Sequence, residues 1–106
     1  MFIINLTYEK PISEVEKFLK EHIDFLDKNY KAKKFVCSGR KNPRTGGIII
    51  CNCVDKATVE QLIQSDPFHR EKIAHYEFIE FIPSKFSDSF KTVIDEIENA
   101  QDNGEI

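Results

Sequence analysis

Residues 2–8 (FIINLTY), 48–54 (IIICNCV) and 73–82 (IAHYEFIEFI) place bulky apolar side chains at neighbouring positions rather than alternate ones. Each segment is short and rich in β-branched or aromatic residues, the pattern of a strand. Successive side chains of a strand point to opposite faces. These three segments therefore present hydrocarbon on both faces of one sheet. A sheet with helices on one side needs only one apolar face, so a second cover is required to avoid a large sticky patch. The simplest cover is the same sheet of another copy, which predicts a face-to-face homodimer. The competing reading has a C-terminal helix lying across that face.

The intervening segments carry helical spacing. Ser13 and Glu16 have capping-box spacing and open a helix that ends near residues 31–33. Val15, Phe18, Leu19, His22, Ile23, Leu26 and Tyr30 fall within an arc of about 140° on it, the width of a core-facing stripe. A strand at 34–39 (KFVCSG) follows, then the basic linker RKNPRTGG. Asp55 caps a second helix, with Val59, Leu62 and Ile63 inward, and Asp66–Pro67 closes it. With the strand over 73–82 the order is β-α-β-β-α-β. That order, with both helices on one face, predicts an α+β ferredoxin-like sandwich. Residues 1–98 read as a single domain ending in an added helix over 86–98, with Phe86, Phe90, Val93, Ile94 and Ile97 on its apolar edge. Residues 99–106 (NAQDNGEI) are expected to form a loose acidic tail.

Composition narrows the function. The 106 residues suit one core, and the formal charge of −3, from 15 basic and 18 acidic side chains, has the wrong sign for a phosphate-backbone binder. RNA-recognition domains share the element order, but their third strand carries stacking aromatics that IIICNCV lacks. No nucleic-acid partner is expected. No apolar run approaches the roughly 20 residues needed to cross a bilayer, so no membrane partner is expected either. The N-terminal MFIINLTYEK has no basic n-region or cleavage site. With the odd count of three cysteines, it points to reduced thiols in a cytoplasm. Cys51 and Cys53 share one strand face with no knuckle turn between them, and Cys37 lies one strand earlier. They read as small buried side chains rather than a metal site.

His22 is the most informative residue, because a titratable ring on an apolar stripe needs a partner or a task. It is either a core histidine satisfied by a backbone carbonyl or a working base. Asp66 either shapes the turn before Pro67 or accepts a hydrogen bond from an imidazole, fixing its tautomer as the aspartate of a catalytic triad does. Helices on the same sheet face allow the two to meet. Ser38, before Gly39 at a strand end, is either a plain hydroxyl or a substrate contact. Arg40 and Arg44 in the glycine-bearing linker can hold a carboxylate or phosphate, or serve only as a solvated loop. Phe68 staples the turn or walls a pocket.

Taken together, His22, Ser38–Gly39, Pro43-Arg44-Thr45-Gly46-Gly47 before an isoleucine strand, Asp66-Pro67-Phe68, Ala74-His75-Tyr76-Glu77-Phe78 and Phe81 resemble the YciI-like (YCII-related) family over roughly residues 1–85. The resemblance implies a dimeric α+β barrel and a His–Asp dyad at His22 and Asp66 with the Ser38 hydroxyl nearby. It also implies action on small cyclic or aromatic compounds by elimination or similar proton transfer. Arg40 departs from the family's usual proline after Ser-Gly and adds charge at the pocket lip. The resulting expectation is a small cytoplasmic enzyme. In it His22 is the base, Asp66 its orienter and Ser38 the third catalytic residue, with Gly39, Arg40, Arg44 and Phe68 the substrate contacts. Elimination, isomerisation or hydrolysis would then need no metal or organic cofactor. The alternative is a dimeric barrel that binds a small ligand without turning it over.

Overall fold

The computed structural model describes residues 1–102, with side chains as far as residue 96. Four strands, β1 (Phe2–Tyr8), β2 (Phe35–Arg40), β3 (Gly46–Cys51) and β4 (Ala74–Glu80), form one antiparallel sheet in the order β2-β3-β1-β4. Helices α1 (Ile12–Lys31), α2 (Lys56–Ile63) and the one-turn α3 (Pro67–Arg70) fill the connections. The chain is an α+β ferredoxin-like sandwich. Phe2, Ile4 and Leu6 of β1 and Ile49 and Cys51 of β3 point to the helix side, where they meet Val15, Phe25, Val59, Ile63 and Phe68. Burying one such side chain is worth roughly 1.5–3 kcal/mol, so this layer holds the sheet to the helices.

Three local readings are corrected. Helix α1 begins one residue before Ser13, with the extended Pro11 as its N-cap and no side-chain capping bond. Glu16, the other half of the expected box, reaches Arg44 instead. The α1 stripe is rotated: Phe25 and Asn29 are buried, whereas Ile23 is 44% exposed because it lines an open cavity. Asn29 is tolerated there because its Nδ2 donates to the Phe25 carbonyl at 2.9 Å. Asp66–Pro67 does not so much end α2 as begin α3. Asp66 is the N-cap and Pro67 occupies the first turn, the position where a missing N–H does no harm. Asp55 caps α2 as read, accepting from the Thr58 amide at 2.7 Å.

Strand β2 is irregular. Phe35 pairs with Cys51 and Ser38 with Ile49, with the register shifting between Phe35 and Cys37. This bulge around Val36 keeps Phe35, Ser38 and Arg40 all on the helix side although Phe35 and Ser38 are an odd number of residues apart.

On the opposite face, a 3-10 turn (Asp88–Phe90) leads into α4 (Lys91–Asp102), which starts and ends later than expected. Residues 81–87, past Pro83, carry no helix. Ile94, Val93 and Phe90 pack on Met1, Val36 and Ile50, covering one end of the open face. Ile79 remains 52% exposed and Ile82 86%. The tail expected at 99–106 overlaps α4 as far as Asp102, and 103–106 lie outside the described residues.

Candidate active site

The cavity of about 460 Å³ opens on the helix side, between α1, β2 and the β2–β3 loop, and α3. Most of its wall is hydrocarbon, from Leu6, Leu19, Ile23, Leu26 and Phe68 among others. Its polar groups come from five places. His22 projects from mid-α1, Tyr8 from the end of β1, Ser38 and Arg40 from β2, Arg44 from the loop and Glu16 from the first half of α1.

His22 and Asp66 meet across 44 residues of sequence, Nδ1 to Oδ1 at 2.8 Å. The His22 side chain is 12% exposed and that of Asp66 0%. The backbone explains why the carboxylate is there. Proline forces its predecessor into extended conformation, and Asp66 adopts φ −80°, ψ 123°. The same Oδ1 accepts the Phe68 amide at 3.0 Å. The capping bond thereby aims the carboxylate at α1. On its other oxygen Asp66 accepts the Tyr76 hydroxyl. A buried carboxylate with three donors is satisfied without a permanent cation beside it. Burial, and then the adjacent Asp66 charge, push the Tyr76 hydroxyl far above the usual phenol range, so it stays a donor.

The imidazole is held on its face as well. Its ring lies flat on Phe68, with centroids 4.0 Å apart and planes 6° from parallel, and Phe25 stacks further off at 6.1 Å. Phe68 is thus both staple and wall. With Nδ1–H donating to Asp66, the lone pair of neutral His22 is on Nε2. This geometry can take a proton at one nitrogen while the other stays tethered.

Ser38 lines the same cavity, but its hydroxyl lies 2.6 Å from the Tyr30 hydroxyl and is not bonded to the dyad. Arg44 is tied to Glu16 at 2.9 Å. The Glu16 bond, and then Tyr8, hold its guanidinium still more firmly charged. Arg40 and Gly39 line the rim. Loop 41–45 is pinned by backbone bonds from the Lys41 amide to the Gly46 carbonyl (2.9 Å) and from the Tyr8 amide to the Thr45 carbonyl (2.8 Å). Sequence reasoning missed Tyr76 and Tyr30. Alternation along β4 was the available signal for Tyr76, because Leu6 is its cross-strand partner and faces the helices.

His75 is exposed on the open sheet face, and His69 sits edge-on to Tyr76 at 5.4 Å; neither lines the cavity. The Cys51 and Cys53 sulfurs are buried 2.9 Å apart, and Cys37 is exposed. Among the described residues, no three His, Cys, Asp or Glu side chains gather as a metal site would need, and no helix is long and apolar enough to cross a membrane.

Fold and pairing together define a small α+β protein whose cavity is faced by a histidine braced on a sunken aspartate. The chain belongs to the family of the YCII-related domain, whose model matches residues 1–82. It also resembles a solved structure of 5-chloro-2-hydroxyhydroquinone dehydrochlorinase from Burkholderia phenoliruptrix AC1100, in complex with 2,5-dihydroxybenzoquinone. The TM-score is 0.67 at 15% identity, covering 83% of this chain and 100% of the other. No curated protein matches the chain in sequence.

Proposed function

We propose that the chain is a small-molecule enzyme in which His22 exchanges a proton with a cyclic or anionic compound bound in the cavity. The observation that carries this reading is a ring with one nitrogen tethered to a buried carboxylate while the ring itself borders a cavity. A purely structural histidine has no need of an open side.

The chemistry best suited to these groups is elimination. Nε2 takes a proton from a ring carbon, the C–H electrons become the new double bond, and the leaving group departs with its own pair from the adjacent carbon. The imidazolium that forms is stabilised by Asp66 at Nδ1 and by the Phe68 face beneath it. The same base serves isomerisation, by returning the proton elsewhere, or hydrolysis, by activating water. Ser38, Gly39, Arg40 and Arg44 position the substrate, and Phe68 supplies an aromatic wall. The dehydrochlorinase likeness supports an elimination on a similar frame.

The uncovered part of the sheet, around Ile79, Phe81 and Ile82, favours pairing with a second copy, and the three free thiols favour a reducing cytoplasm. The test is a turnover screen of chlorinated and hydroxylated cyclic compounds followed by product NMR. Positioned proton transfer contributes about 10²- to 10⁴-fold. Turnover of at least one compound should fall by that factor in His22→Ala, while its binding persists. Turnover indifferent to His22, or binding without any turnover across the screen, refutes the enzyme.

A further inference from the structure

We infer that the cavity contains an anion subsite, formed by Arg40 with the Ser38 hydroxyl, which selects a carboxylate on a compact cyclic substrate. The inference deepens the functional reading above and rests on it for the cavity being the substrate site. Its support comes from where the cations of one loop are directed.

The last residue of β2 and the loop after it carry three basic side chains, and they have different fates. Arg44 is neutralised by Glu16. Lys41 turns to the other face of the sheet, where its Nζ donates to Thr7 Oγ1 at 3.1 Å. Arg40 remains on the helix side because the β2 bulge puts it there, paired with Gly47. Among the described residues, Arg40 is the one cavity-lining charge without an ion pair or side-chain hydrogen bond. Glu16 is the cavity's carboxylate, and Arg44 already holds it. The cavity therefore presents net positive charge in a chain whose formal charge is −3.

Ser38 precedes Arg40 by two residues on the same strand face. When Tyr30 donates across their 2.6 Å contact, Ser38 keeps its own O–H for a bound oxygen. A planar guanidinium fork beside a hydroxyl matches the two oxygens of a carboxylate. Hydrocarbon lines most of the remaining wall, and the flat His22–Phe68 stack offers a face to a ring. The ligand class is thus a carboxylate at one end and an apolar ring at the other, with the ring carried toward His22.

Benzoate and benzamide are suitable probes, since they share a ring and differ in charge. In an NMR titration of labelled protein, followed at the Gly39, Gly47 and Phe68 amides, benzoate should bind about tenfold tighter than benzamide. Arg40→Gln should erase that preference while benzamide affinity stays put. Lys41→Gln should leave the preference intact. Arg40 is exposed and unpartnered, so the variant should keep the wild-type spectrum. Equal binding of the two probes by wild type, binding of neither, or a benzoate preference that survives in Arg40→Gln overturns the subsite. The measurement involves no turnover. Arg40-dependent selectivity in a protein inert toward every compound upholds the subsite and discards the enzyme. Turnover that depends on His22 but not on Arg40 does the reverse.

Discussion

Replacing Asp66 with alanine should remove more stability than any other polar substitution in the molecule, and replacing it with asparagine should not. The carboxylate accepts from the Phe68 amide, from His22 Nδ1 and from Tyr76, and the Asp66 side chain is fully buried. Loss of the capping acceptor costs about 1 kcal/mol. A buried Tyr76 hydroxyl left without an acceptor costs about 1–3 kcal/mol. The His22 N–H, which is slightly exposed, adds about 1 kcal/mol. The sum for Asp66→Ala is about 3–5 kcal/mol, against about 5–15 kcal/mol for a whole domain. Asparagine keeps Oδ1 for Phe68 and His22, and its Nδ2 can donate to a Tyr76 oxygen that now accepts, so Asp66→Asn should lose about 1 kcal/mol. Urea unfolding followed by far-UV circular dichroism measures both. With a slope of about 1–3 kcal/mol/M, the alanine midpoint should fall by about 1–5 M and the asparagine midpoint by less than half as much. Equal losses in the two variants, or an alanine variant within about 1 kcal/mol of wild type, would refute the hydrogen-bond account of this carboxylate.

The Tyr76 hydroxyl gives an alkaline counterpart. Its folded pKa is raised, so the stability tied to its neutral form is present below the unfolded value of about 10 and is lost as pH climbs beyond it. Tyr76→Phe should flatten that alkaline loss, which chemical unfolding between pH 8 and about 11 would reveal. Thiol labelling should be graded. Cys37 is exposed and should react first with a disulfide reagent, whereas Cys51, pushed up by its bond to Cys53 and then by burial, should react only on unfolding. Mass mapping of the first-labelled peptide decides this. At Gly46 an added Cβ would lie 1.8 Å from the Leu6 carbonyl oxygen. Gly46→Ala should therefore cost about 3 kcal/mol or more, read as a lowered melting temperature.

Element order and the central pair were legible because each rests on a local rule. Strand segments announce themselves by β-branched runs, and Asp66 is marked by the proline after it. His22 stood out because imidazole is out of place on an apolar stripe. The misreadings came from contacts that no local rule contains. Glu16 was drawn from its expected capping role by Arg44, nearly thirty residues away. Phe25 displaced Ile23 from the core because Phe35 supplies a ring to pack against at 5.6 Å and the cavity leaves Ile23 unopposed. The bulge near Val36 reverses the face on which Ser38 and Arg40 would otherwise fall. Tyr76 was hidden because a half-buried tyrosine on a strand looks like ordinary core until its hydroxyl finds Asp66.

The tight approach of Gly46 to β1 divides the molecule by its tolerance for change. At Gly46 the chain is locked into the central pairing, and an added methyl group there would part β1 from β3. Residues 41–45 lie between β2 and β3, outside the strand ladder, and present Arg44 to the cavity. Variation in this short stretch can revise which compounds are admitted and leave the histidine, its carboxylate and the packed core around them untouched, so diversification of such a protein should concentrate there.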